Sequence, residues 1–199
     1  LESDDFAFRP VYLTNAPDGS LLVADFYEHY VAHGQHYQSQ IDPDTGRVYR
    51  LRGKGQPLEK DHDLSAKSTA ELISLLNHPN KWHRHMAVRL LGERRDEKSR
   101  TPLRKLVEKG DDREALCALW AHYQGFGLDD ELATSALSRK YPPLRLWTVR
   151  LACDDLGFSH KHPVAGLSDS LGDKQNPKAR LSPDFFQRLL SQARVEPYA

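Results

Sequence analysis

Three segments of this chain repeat at a nearly constant spacing. MAVRLLGE (86–93), CALWAHYQ (117–124) and WTVRLACD (147–154) are offset by 31 and then 30 residues. A fixed period of that length marks stacked units that cannot bury an apolar face alone. The flanking segments supply the first helix of each unit. STAELISLLN (68–77) places Ser68 at a cap and Glu71 three residues on, a capping box, with Leu72, Ile73, Leu75 and Leu76 as the buried stripe. HPN breaks the pattern, and KWHRHMAVRLLGE resumes it with Trp82, Met86 and Leu90 spaced by four. TPLRKLVEKG is expected to start a helix with Pro102 just inside and Gly110 just outside. DDREALCALWAHYQG follows, boxed by Asp111 and Glu114, then DDELATSALSRK and PPLRLWTVRLACDDLG. The last helix is SPDFFQRLLSQAR, with Ser182 as cap and Pro183 at its first position. The expected fold is mainly α, a solenoid of about three and a half helix pairs over residues 62–199.

Residues 1–61 read differently. VYLT and SLLVADF are β-leaning runs, and NAPDGS between them puts Pro17, Asp18 and Gly19 where a turn wants a fixed φ and then a positive one. GRVYRLR supplies a third strand after DPDTG at 42–46. Three strands lie near the lower limit of an independently stable sheet, so this antiparallel segment must pack on something, and the first helix pair is one candidate. Residues 158–180 are polar and rich in Gly, Pro and Asp, a long loop. Both ends read as cuts through a longer chain: Leu1-Glu2-Ser3 lacks the pattern of a signal peptide, and the fourth unit has only its first helix.

Two resemblances follow from these segments. HRHMAVRLLG carries the Arg-x-x-Ala-x-x-x-Leu-Gly pattern of HEAT repeats through Arg84, Ala87, Leu91 and Gly92. Arg145 falls in register with Arg84, whereas the second unit has Ala115 there. FRPVYLTNAPDGSLLVADFYE, His33-Gly34 and DPDTGRVYRL together resemble the last blade of the sugar-dehydrogenase-like propellers. More closely, they resemble the blade-to-repeat junction of a bacterial family of membrane-bound dehydrogenase-like proteins. The resemblance implies a large exported, periplasmic parent that joins a six-bladed propeller to HEAT repeats and often to a cytochrome c domain. Pyrroloquinoline quinone and calcium would belong to that parent. This chain lacks the other five blades and any Cys-x-x-Cys-His haem motif, so no catalytic residue carries over and no cofactor is expected in the chain itself.

Charge narrows the function. Lys and Arg number 28, as do Asp and Glu, which argues against nucleic-acid binding as the main role. The placement is uneven: residues 1–47 hold eight acids and two bases, a net of −6, and residues 81–105 hold nine bases and three acids, a net of +6. The two segments would attract one another. A basic face over 81–105 is the alternative, nucleic-acid-binding reading. No run approaches the roughly 18 apolar residues of a membrane span. Cys117 and Cys153 read as small buried thiols on helices.

Few residues suggest chemistry. His29, His33 and His36 would align on a helix, but Gly34 interrupts them and no cysteine joins them, so they are read as a polar loop rather than a metal site. Asp25, Tyr27 and His33 are the candidates for a ligand face. DPDTG begins like a calcium loop, yet position 52 is Arg52 where a Glu is needed. GKG at 53–55 lacks the residues of a phosphate-binding loop. His78, His83 and His85, like His160 and His162, are assigned to packing or solvent. Trp82, Arg84, Arg89 and Arg145 are the candidate interaction surface. The expected function is a non-catalytic interaction or scaffold module, part of a quinone-dependent sugar or alcohol dehydrogenase-like protein, with a protein or another domain as partner.

Overall fold

The computed structural model describes residues 3–28, 44–58, 60, 62–155 and 181–193. The chain forms two compact units: Leu1–Asp63 with Asn80–Trp82, and Leu64–Pro79 with His83–Ala199.

The first unit holds a three-stranded antiparallel sheet in the order β1 (Pro10–Asn15), β2 (Leu21–Asp25), β3 (Arg47–Leu51). The NAPDGS turn forms as its residues require. Gly19 N donates to Ala16 O at 2.9 Å, Ala16 N donates to Ser20 O at 2.8 Å, and Gly19 takes φ +80°. Asp18 fastens the turn: its Oδ1 accepts from Ser20 N and Oγ, and its Oδ2 pairs with Arg50 of β3 at 2.6 Å. These bonds hold the Asp18 carboxyl below its ordinary pKa. Asn80 belongs to the same unit through Nδ2, which donates to Ala16 O and Pro17 O at 2.9 and 2.8 Å. Val23 is the buried centre of the sheet, with Leu13 and Tyr49 beside it in register.

The second unit is helical: α1 (Thr69–Ser74), α2 (Lys81–Arg94), α3 (Glu97–Lys109), α4 (Asp112–Phe126), α5 (Asp130–Ser138), α6 (Pro142–Asp155) and α7 (Pro183–Ala193). First helices contact first helices, α1 with α3 and α3 with α5; α4 contacts α6; and within pairs α3 packs on α4 and α5 on α6. This is the stacking of an α-solenoid, and the mainly helical fold with a short preceding sheet is the one expected. The core is built from small and branched residues, with Leu72, Leu76, Leu91, Leu103, Leu119, Leu132 and Leu144 essentially inaccessible. No described helix is long and apolar enough to cross a membrane.

Local signals hold in some places and fail in others. The Ser68–Glu71 capping box forms in both directions, and Ser182 Oγ accepts from Phe185 N at 3.2 Å at the start of α7. The helix expected at Pro102 begins earlier, at Glu97. Asp96 caps it, accepting from Lys98 N at 3.0 Å, and Ser99 Oγ returns to Asp96 O at 2.7 Å. That anchored first turn outweighs the one backbone bond Pro102 removes. Asp111 makes no side-chain cap; its carboxylate lies 3.5 Å from Asn77 Nδ2 instead. The buried stripe of α2 is Ala87, Val88, Leu91 and Gly92, not Trp82, Met86 and Leu90, which are half-buried. Close approach selects these small residues: a Cβ on Gly92 would lie 2.6 Å from Gln124 Cβ of α4. Cys117 is buried, with its thiol pKa pushed up by burial, whereas Cys153 is exposed on α6, against the reading of both as buried.

Candidate protein-docking groove

At the end of β2, Asp25 and Tyr27 are brought together, but as a backbone clamp. Asp25 is 5% exposed, and its Oδ1 accepts from Arg9 N at 2.8 Å and Tyr27 N at 3.1 Å. Those bonds support the left-handed backbone of Tyr27 (φ 52°), whose ring lies 4.2 Å beneath the Arg47 guanidinium. Asp25 Oδ2 is buried and has no hydrogen-bond partner among the described residues. His33, like His29, His36, His160, His162 and the loop 158–180, lies outside the described residues. Among the described residues, no group of three or more His, Cys, Asp or Glu is placed to hold a metal.

The basic stretch 81–105 is engaged largely within the fold. Arg84 Nη1 donates to His78 O at 2.7 Å and Pro79 O at 2.8 Å, bracing the turn between α1 and α2. Arg94 donates to Lys67 O and Ser65 O at 2.6 and 2.5 Å. Arg104 pairs with Asp129 and Glu131 at the start of α5. Arg89 and Arg100 pair with Glu93 and Glu97 on their own helices. Arg84 is therefore a bracing residue rather than a free surface cation. Trp82 is half-buried at the start of α2, where its N–H donates to Asn80 Oδ1 at 2.9 Å. Arg145 is half-buried on α6.

A groove of about 460 Å³ runs across the second helices of three successive pairs. Its lining is His85, Val88 and Arg89 from α2, Trp120, Tyr123 and Gln124 from α4, and Trp147 and Leu151 from α6. Three rings meet edge to face there. His85 and Trp120 have centroids 6.1 Å apart at 85°, and Trp120 and Trp147 are 5.1 Å apart at 82°. The Arg150 guanidinium covers Trp147 at 4.8 Å. Trp120 Nε1 is buried with no acceptor among the described residues.

Of the residues singled out from sequence, only Arg89 lies in this groove. Trp120, Trp147, Tyr123, Gln124 and Leu151 were missed, and His85 was assigned to packing. One signal was present: the repeat offsets put Arg89, Trp120 and Arg150 in a single register.

Comparison with known proteins agrees with this geometry. A model of HEAT repeats matches residues 60–121. That segment is similar to HEAT repeats. A second model, described as a domain of unknown function (DUF7133), matches residues 1–55, the segment that holds the sheet. No curated protein and no solved structure matches the chain. The HEAT-repeat match spans α1, α2, α3 and most of α4, the first two stacked pairs of a helical-repeat fold.

Proposed function

We propose that the chain works as a protein-interaction module whose partner docks in the groove across α2, α4 and α6. The observation that carries this reading is the set of edge-to-face rings His85, Trp120 and Trp147 in one groove shared by three helices. Clustered aromatic side chains are what interaction hot spots are enriched in. The test is site-specific photo-crosslinking in the native host, from exposed Gln124 in the groove and from exposed Lys105 away from it. The expected result is a discrete protein adduct from position 124 alone that disappears with Trp147→Ala. The same adducts from both positions would refute the reading.

A larger reading concerns the sheet. β1 is an edge strand that exposes Val11 (63%), Tyr12 (64%) and Leu13 (58%), so both of its faces are open. An apolar strand open on both faces suits a larger β-structure, and the resemblance of the β segment to a terminal propeller blade suggests which one. Under this reading the repeats serve a quinone-dependent dehydrogenase-like parent. Pyrroloquinoline quinone, calcium, a cytochrome c partner and an exported location follow from that parent alone. Quinone-dependent reduction of an artificial electron acceptor by the protein purified from its native host is the test; no dependence on added quinone would dismiss it.

A further inference from the structure

We infer that the groove's occupant is an acidic peptide segment of a partner protein, carrying an aromatic or leucine anchor; this rests on reading the groove as a docking site. Size comes first. About 460 Å³ admits one or two large side chains with their backbone, not a folded domain. The walls select what enters. Val88, Leu151 and the two indoles Trp120 and Trp147 offer an apolar seat.

The polar groups at the rim are donors. Arg89 is exposed, and its bond to Glu93 engages Nε at 2.7 Å. Arg150 is exposed above Trp147. The lining residues include no carboxylate, and the nearby Glu93 is already tied to Arg89. The exposed Arg150 guanidinium at the groove complements an anionic partner.

Two other occupants fit less well. A methylammonium group would seek the indole faces, but the Arg150 guanidinium already covers that of Trp147. A nucleic-acid backbone needs a run of available cations, whereas Arg84, Arg94 and Arg104 are turned onto carbonyls and carboxylates of the fold.

The experiment is a selection from a random peptide library on the purified chain alone, with every enriched peptide then tested for binding to the Arg150→Glu variant. Arg150 is exposed, so this variant keeps the fold, which a thermal melt verifies. Enriched peptides are expected to combine Asp or Glu with Trp, Phe or Leu. A synthetic copy should lose about tenfold or more in affinity on Arg150→Glu and on Trp147→Ala. Replacing its acids by Lys should abolish binding to the native chain and restore it to Arg150→Glu. Groove-dependent peptides that are neutral or basic would overturn the acidic assignment and leave the docking reading intact. Peptides indifferent to both variants, or none enriched, would overturn both. Duplex DNA displacing the selected peptide at moderate salt would also overturn the assignment.

Discussion

His122 gives the sharpest test of the packing. The ring sits on α4 at 1% exposure, and Nδ1 donates to Gly127 O at 3.1 Å, so Nε2 keeps its lone pair in a buried place with no partner among the described residues. Burial is the first reason its pKa is pushed down to about 4. The bond to Gly127 works the other way, Arg104 lowers it, Asp129 raises it and Arg100 lowers it. In the unfolded chain histidine titrates near about 6.5. Between these two values the unfolded state holds a proton that the folded state rejects, so stability falls as pH falls through this window. The two pKa values correspond to a loss of about 2 kcal/mol by pH 5 and about 3 kcal/mol by pH 4. Glu71, Asp96 and Asp129 are held below the ordinary carboxylate range, so their contributions fade only at lower pH. The upper window lies above theirs, and replacing His122 separates its share from that of the rest of the chain. Urea unfolding at pH 7 and pH 5, on the native chain and on His122→Gln, measures it. The native chain should lose about 2 kcal/mol between the two pH values and the variant much less, whatever its absolute stability. Equal losses in both proteins would refute a ring buried in its neutral form.

Other outcomes follow from single contacts. Gly92→Ala should destabilise by about 1–3 kcal/mol in denaturant melts, because its Cβ would meet Gln124 Cβ at 2.6 Å. Arg84→Met should lose about 1–3 kcal/mol by orphaning the His78 and Pro79 carbonyls, whereas Arg89→Met, which breaks one exposed pair, should stay within about 0.5 kcal/mol. Ser68→Ala should cost about 1 kcal/mol by removing the hydroxyl that accepts from Glu71 N, while the backbone N–H at position 68 still donates to Glu71. Arg95 follows α2 with φ 49°, so Arg95→Gly should stabilise by about 1 kcal/mol or less through relief of left-handed strain, read as a higher melting temperature.

Periodicity made the helical unit legible because every stacked pair repeats the same demand for an apolar stripe. Ser68 and Ser182 are local instructions, satisfied within their own turns, and they read true. Pro102 misled because proline announces a helix start only when nothing upstream caps one, and Asp96 does. The α2 stripe misled because its contact with α4 is so close that glycine and alanine face the core while Met86 and Leu90 lie at its margin. The groove was legible only in part. Trp120 and Trp147 sit at different positions of their repeats, so no common motif marks them, and their meeting is a product of stacking. The charge excess over 81–105 misled for a related reason: sequence counts charges but does not show which carbonyls they face.

Those carbonyls and carboxylates show how neighbouring pairs are held in register. Asp96 caps α3 and also accepts from Thr69 of α1 at 2.5 Å. Asp129 caps α5 through Leu132 N at 2.9 Å and also pairs with Arg104 of α3. Burial alone would raise the Asp129 pKa, yet the Arg104 and Leu132 bonds hold it below the ordinary value, so the carboxylate is a working charge there. Asp130 beside it accepts from Ser182 N at 2.8 Å at the head of α7, and Arg139 reaches from the end of α5 to Glu108 O and Gly110 O, both at 2.7 Å. Acids at the N-termini of the first helices thus recur as joints between consecutive pairs. A helix N-terminus favours an anion, and the anion in turn recruits a donor from the adjacent pair. Consecutive pairs are thus joined by polar bonds along the first helices, and α2 meets α4 closely at Gly92. That division leaves the groove face of the second helices carrying aromatic rings that the fold itself does not consume.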